Sequence, residues 1–279
     1  MIQLNITYYP GRWFRWLYVF RFKVFNGVRP LEYQRTVPGK WDEFTLADIR
    51  AVARAVYLLR DKTVQKIFIA WHFLSLPFPV FRNMSYSDVM HVYRHLSSLL
   101  EENTLAKTLL KQVSIRGTVF LGPGDFARNM TFLEFIKADT FYCQYKANPS
   151  AQALNNLAAT LYRPRRSDVD EKDVSFNGDM RIPFNEYQVA ARAKTFRSLS
   201  RVDRYVILMQ YAGLRAWLQR KYPETLRYNK PGQFGWAGLI VSLAGPKFGD
   251  DDHVANKFIH AILTHMEMST IEANKTRSK

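Results

Sequence analysis

Cysteine is almost absent from this chain of 279 residues: Cys143 stands alone, so neither an intrachain disulfide nor a zinc site built on paired cysteines can form. That fits a reducing interior or a virion. Long apolar runs are missing as well. The most hydrophobic early stretch, Trp13 to Phe25, is interrupted by Arg15, Arg21 and Lys23 and falls short of the roughly 18 uninterrupted apolar residues that a membrane span needs. It carries no small-residue cleavage site of the signal-peptide type, so neither export nor a membrane span is expected. Acid is scarce too. There are 24 Asp and Glu against 40 Lys and Arg, a formal charge of +16, and such a field favours acidic partners: nucleic acid, an anionic surface or an acidic protein.

Signatures of chemistry are also lacking. His91 and His95 lie four apart at helical spacing, with Asp88 one turn earlier, but Val92-Tyr93-Arg94 stand where a metalloprotease motif needs a glutamate. Surface or interface histidines are the simpler reading. His260 and His265 are five apart and point to different sides of a helix. Asp250-Asp251-Asp252 lacks the alternation of a calcium loop and suits the amino-terminal dipole of a helix instead. Gly122-Pro123-Gly124 is followed by neither form of phosphate-binding loop, and no nucleophile elbow occurs. Cys143, between Tyr142 and Gln144, reads as a core thiol. No catalytic residue, metal or cofactor is therefore expected, and the protein reads as a non-enzyme.

What the chain does contain is enough to fold. Hydrophobic residues make up 47% and aromatics 15%, well above a disordered composition. The first forty residues interleave rings with cations. Tyr18, Phe20 and Phe22 alternate with Val19, Arg21 and Lys23 as in a half-buried strand, Asn26-Gly27 reads as a hairpin turn, and Leu31 to Val37 reads as the returning strand. From Thr45 the period changes to that of a helix, with Thr45 as N-cap and Asp48 three residues on. Further helices are expected at Thr63–Leu76, from Ser85 to Glu101, from Thr131 past Tyr142, from Ser150 to Leu161, at Glu186–Leu199, Val202–Lys221, Gly235–Leu243 and Val254–Met268. Val113 to Leu121 is a β-branched segment closed by the Gly-Pro-Gly turn. Arg163 to Phe184 is charged and without apolar periodicity, the best candidate for a long loop and a domain boundary.

The expected fold class is mainly α, a multi-helix domain with a small N-terminal β element. The expected organisation is an aromatic-basic β element at 1–45, a helical region at 46–164, a charged loop at 165–184 and a C-terminal helical region at 185–279, which can form one domain with 46–164. Partner or nucleic-acid contacts are expected at Arg12, Arg15, Trp16, Arg21 and Lys23 of the N-terminal strands and at Arg163, Arg165 and Arg166 of the loop, because rings can stack bases while cations meet phosphates or carboxylates.

Val37-Pro38-Gly39-Lys40-Trp41-Asp42-Glu43-Phe44-Thr45-Leu46 resembles a pattern in uncharacterised proteins of tailed phages and prophages of Bacteroidetes: a short strand, then Pro-x-x-Trp-x-Glu-x-Thr-Leu opening a helix. Met130 to Tyr142, Leu157 to Pro164, and Trp236 to Ile240 with Lys247-Phe248-Gly249 point the same way. The aromatic first thirty residues depart from that pattern. The resemblance implies a virion or tail-assembly component, located in the virion or the host cytoplasm, whose partners are other phage structural proteins or its own copies, with DNA as a second class of partner. Trp41 would anchor the junction and Thr45 would cap the helix. The rival reading is a nucleic-acid-binding protein that uses the N-terminal strands and the Arg163–Arg166 loop.

Overall fold

The computed structural model describes residues 2–8, 31–167, 176–226 and 235–277. The fold is mainly α, with a small N-terminal β element. The chain divides into two compact units, 1–102 and 103–279. The division thus falls inside the stretch 46–164, and 165–184 lies within the second unit.

In the first unit, β1 (Ile2–Tyr8) pairs antiparallel with β2 (Leu31–Val37), from Ile2↔Val37 to Tyr8↔Leu31. The strand expected at 31–37 is present, but its described partner is the extreme N-terminus. The strand and turn expected between Tyr18 and Gly27 lie outside the described residues. Four helices follow: α1 (Leu46–Leu58), α2 (Lys62–Leu74), the short α3 (Phe78–Arg82) and α4 (Tyr86–Glu101).

Local chemistry explains where these helices start. Thr45 Oγ1 accepts from Asp48 N–H while Thr45 N–H donates to the Asp48 carboxylate, a reciprocal capping box. Asp61 caps α2 by accepting from the N–H groups of Thr63 and Val64, and Ser85 caps α4 by accepting from Asp88 N–H. The core is aromatic. Trp41 is buried, with its ring 4.7 Å from Phe44, which lies 5.2 Å from Phe73. Its Nε1–H donates to the carbonyls of Leu99 at 2.8 Å and Glu102 at 2.9 Å. Leu99 lies in the last turn of α4 and Glu102 is its C-cap, where carbonyls lack helical partners. Trp41 therefore ties the strand–helix junction to the end of α4.

The second unit opens with a hairpin of β3 (Gln112–Ile115) and β4 (Thr118–Leu121). The single β segment expected at 113–121 is two strands, because Arg116 (φ 51°) and Gly117 (φ 81°) both adopt the left-handed conformation that a two-residue turn requires. β5 (Arg163–Pro164) joins β4 as a third strand. The helices are α5 (Phe132–Ala147), α6 (Ala151–Leu161), α7 (Val189–Phe196), α8 (Arg201–Lys221), the one-turn α9 (Pro223–Leu226), α10 (Gly235–Leu243), α11 (Asp251–Asn256) and α12 (Ile259–Arg277). The final run expected at 254–268 is thus two helices, and Asp250 caps the first of them through His253 N–H. α6 packs on α5, α7 and α8. A Cβ at Gly213 of α8 would lie 2.4 Å from the Leu105 carbonyl oxygen, so glycine permits that close approach.

Candidate functional site

Arg163 is where the structure departs furthest from the sequence-based expectation. It was placed among the partner contacts, yet it is only 1% exposed. The cause is the strand geometry around it. Leu161 ends α6, Arg163 pairs with Leu121 in β5, and the chain returning through Asp179–Ile182 runs alongside, with Arg166 N–H bonded to Met180 O and Ile182 N–H to Pro164 O. Alternation along that returning segment turns Asp179 and Arg181 inward, to face Arg163 and Glu134 in the first turn of α5.

These four side chains form a closed ionic cluster. Arg163 Nη2 donates to Glu134 Oε2 at 2.9 Å and Asp179 Oδ2 at 2.8 Å. Arg181 donates from Nη1 to Glu134 Oε1 at 2.7 Å and from Nε to Asp179 Oδ1 at 2.8 Å, and it reaches the carbonyls of Leu161 and Asn129. Asn129 closes the ring by donating to Asp179 at 3.1 Å. Burial opposes the charge on Arg181, but the Glu134 and Asp179 carboxylates outweigh it and raise its pKa; at Arg163 burial prevails and lowers it. Arg192 of α7 stands near the cluster without joining it. It is 8% exposed, its Nε donates to Ala159 O, and both terminal nitrogens are buried without an acceptor. Burial, then the positive charge of Arg163, pulls its pKa down to about 10.

A second buried acid, Asp139 of α5, accepts from Arg215 Nε at 2.6 Å and from Tyr211 Oη at 3.3 Å. Cys143, expected in the core, is exposed, because it lies at the outer edge of the α5 face that Asp139 occupies. Partial cover of the sulfur and the Asp139 carboxylate raise the thiol pKa, which disfavours a nucleophilic thiolate at neutral pH. His95 bonds the Pro38 carbonyl while His91 faces solvent, and His260 bridges Tyr222 and the Phe126 carbonyl. The histidine pairs therefore serve separate local contacts. Among the described residues no group of three or more His, Cys, Asp or Glu could hold a metal ion.

Of the other expected contacts, Arg12, Arg15, Trp16, Arg21 and Lys23 lie outside the described residues. Arg165 is exposed and Arg166 half-buried, both beside the β5 ladder. The surface feature missed in the sequence is an aromatic stripe on the first unit. Val64, Phe68 and Trp71 recur at i, i+4 and i+7 on one side of α2, and Phe78 of α3 adds to them, its ring 6.1 Å from Trp71. Phe78 is 59% exposed and Trp71 37%. The apolar run at 63–76 contained the signal, since it is apolar around more of the helix than one buried face requires.

Fold and geometry together define a mainly α protein of two compact units, one with an aromatic core and an exposed aromatic stripe, the other with an apolar core that also holds a buried ionic cluster. No family model, curated protein or solved structure matches the chain.

Proposed function

We propose that this is a non-enzymatic structural or assembly protein that acts through protein–protein interfaces, with a tailed-phage virion or its assembly as the setting suggested by the pattern around Trp41. The observation that carries the reading is the stripe of Val64, Phe68, Trp71 and Phe78. Rings left this open to water favour a covering surface, and burying a Phe or Trp supplies roughly 1.5–3 kcal/mol per side chain. The buried ion pairs support the same reading, since Glu134 and Asp179 bind Arg163 and Arg181, and Asp139 binds Arg215, so that these charges hold the fold.

Light scattering across a concentration series, alone and with candidate structural proteins from the same particle, tests this reading. The expected result is association that Phe78→Asp abolishes while thermal stability stays within about 0.5 kcal/mol of the parent, as for surface substitutions generally. A strict monomer that engages none of those proteins, or an association indifferent to Phe78→Asp, overturns it. A second reading, nucleic-acid binding, draws on the net charge of +16. Steep salt dependence of DNA binding would favour it.

A further inference from the structure

In the second unit, the ends of α5, α6 and α8 border a half-open cavity of about 170 Å³, lined by Tyr145, Ser150, Leu154, Arg201, Arg204 and Tyr205 among others. Its size matters first. It lies below the roughly 300 Å³ at which pockets for drug-sized ligands begin, and at about 30 Å³ per water it has room for five or six waters. One functional group of a ligand fits, rather than a whole ligand.

The arginines at the cavity differ from those that hold this unit's buried carboxylates. Arg163, Arg181 and Arg215 each bind a carboxylate. Arg201 is exposed and has no acidic partner among the described residues. Arg204 donates from Nη1 to Asn155 Oδ1 at 3.0 Å, a neutral acceptor, and its Nε is shut off from water without an acceptor. The carboxylate between them in sequence, Asp203, accepts from Ser200 Oγ at 2.9 Å at the helix cap. Two guanidinium groups thus meet at a recess, neither paired with a carboxylate among the described residues, and the rings of Tyr145 and Tyr205 supply part of its wall.

We propose that this cavity binds a phosphate group. A phosphate monoester carries about −1.5 to −2 charges at neutral pH and three acceptor oxygens, which suits two guanidinium forks better than a single carboxylate does. The site is separate from the aromatic stripe on the first unit, so it stands or falls independently of the proposed docking function.

Thermal denaturation of the full chain in increasing inorganic phosphate, with sodium chloride holding ionic strength constant, reads the site directly. The expected outcome is a saturable rise in Tm. Arg201→Ala, an exposed substitution that leaves the unliganded Tm unchanged, shifts the phosphate midpoint at least tenfold. Arg204→Lys keeps the charge but loses the planar fork, and weakens the response in the same direction. A rise no larger than chloride gives, or one that persists unchanged in both variants, overturns the proposal. A single-stranded oligothymidylate then distinguishes the sources of phosphate. Binding that inorganic phosphate competes away and Arg201→Ala weakens assigns the cavity to a nucleic-acid backbone; oligonucleotide binding unaffected by Arg201→Ala, beside a positive phosphate response, assigns it to free phosphate or a phosphorylated small molecule.

Discussion

Among the described residues the first unit buries one polar side chain, Gln65, whereas the second buries ten, and six of those are charged: Glu134, Asp139, Arg163, Asp179, Arg181 and Arg192. The two interiors obey different physics. In the first, Trp41, Phe44 and Phe73 gain from leaving water whatever their exact neighbours, so an approximate fit already stabilises. In the second, the charges of Glu134, Asp179, Arg163 and Arg181 are tolerable only while their partners are present. The desolvation cost of several kcal/mol per ion returns at once when a pair is broken.

The sharpest way to break this comparison is Arg181→Met. It leaves Glu134 and Asp179 with Arg163 as their remaining cation, and should cost about 3–5 kcal/mol, since removing one partner strands buried charge. Urea denaturation of parent and variant measures it. A loss under about 1 kcal/mol would mean that the ionic interior carries no more than an apolar one. In the first unit the matched test is Trp41→Phe, which keeps an aromatic ring but leaves the carbonyls of Leu99 and Glu102 without their donor. About 1–3 kcal/mol is expected, less than for Arg181 because no charge is stranded.

A smaller effect separates the units by pH. Burial works against the charge of Asp48, but hydrogen bonds from His72 and Thr45 overcome it and hold its pKa below the ordinary 3.8. The folded state therefore binds the proton less readily than the unfolded chain. The contribution of Asp48 is complete above the unfolded pKa and disappears as pH falls through the lower folded value. Asp48→Asn should then cost about 0.2–1 kcal/mol near pH 6, the range for a partly exposed pair, and the gap to the parent should close below pH 4. A gap that stays constant on acidification would show that the capping geometry, and not the charge, carries the contribution.

What could be read from the sequence follows the same division. Helix starts at Thr45, Ser85, Thr131 and Ser150 were legible because a cap and the amide it satisfies lie within three residues of each other. The pairing of β2 with Ile2–Tyr8 was not, because strand partners are chosen across the chain and an Asn-Gly pair nearby offered a closer alternative. The ionic cluster was illegible for the same reason: Glu134 meets Arg163 across 29 residues and Arg181 across 47. The charged, aperiodic look of 163–184 suggested a solvated loop, although Asp179 and Arg181 alternate inward there. The one local hint was Glu134 itself, a carboxylate set among Phe132, Phe135 and Ile136 on the buried side of α5.

Arg192→Met is the quietest substitution and the most discriminating. Arg181 and Arg192 are both buried arginines of the second unit, but every nitrogen of Arg181 has an acceptor, while the two terminal nitrogens of Arg192 have none. An unmatched buried cation is a cost that folding bears, so replacing it by an apolar side chain of similar length should leave stability unchanged or raise it by about 1 kcal/mol. The direction agrees with its depressed pKa of about 10: the folded state holds that proton less firmly than the unfolded chain, and loss of the charge favours folding. If Arg192→Met instead destabilises as much as Arg181→Met, its positive charge supports the cluster at a distance through Glu134, and the second interior is held by its summed field rather than by matched pairs.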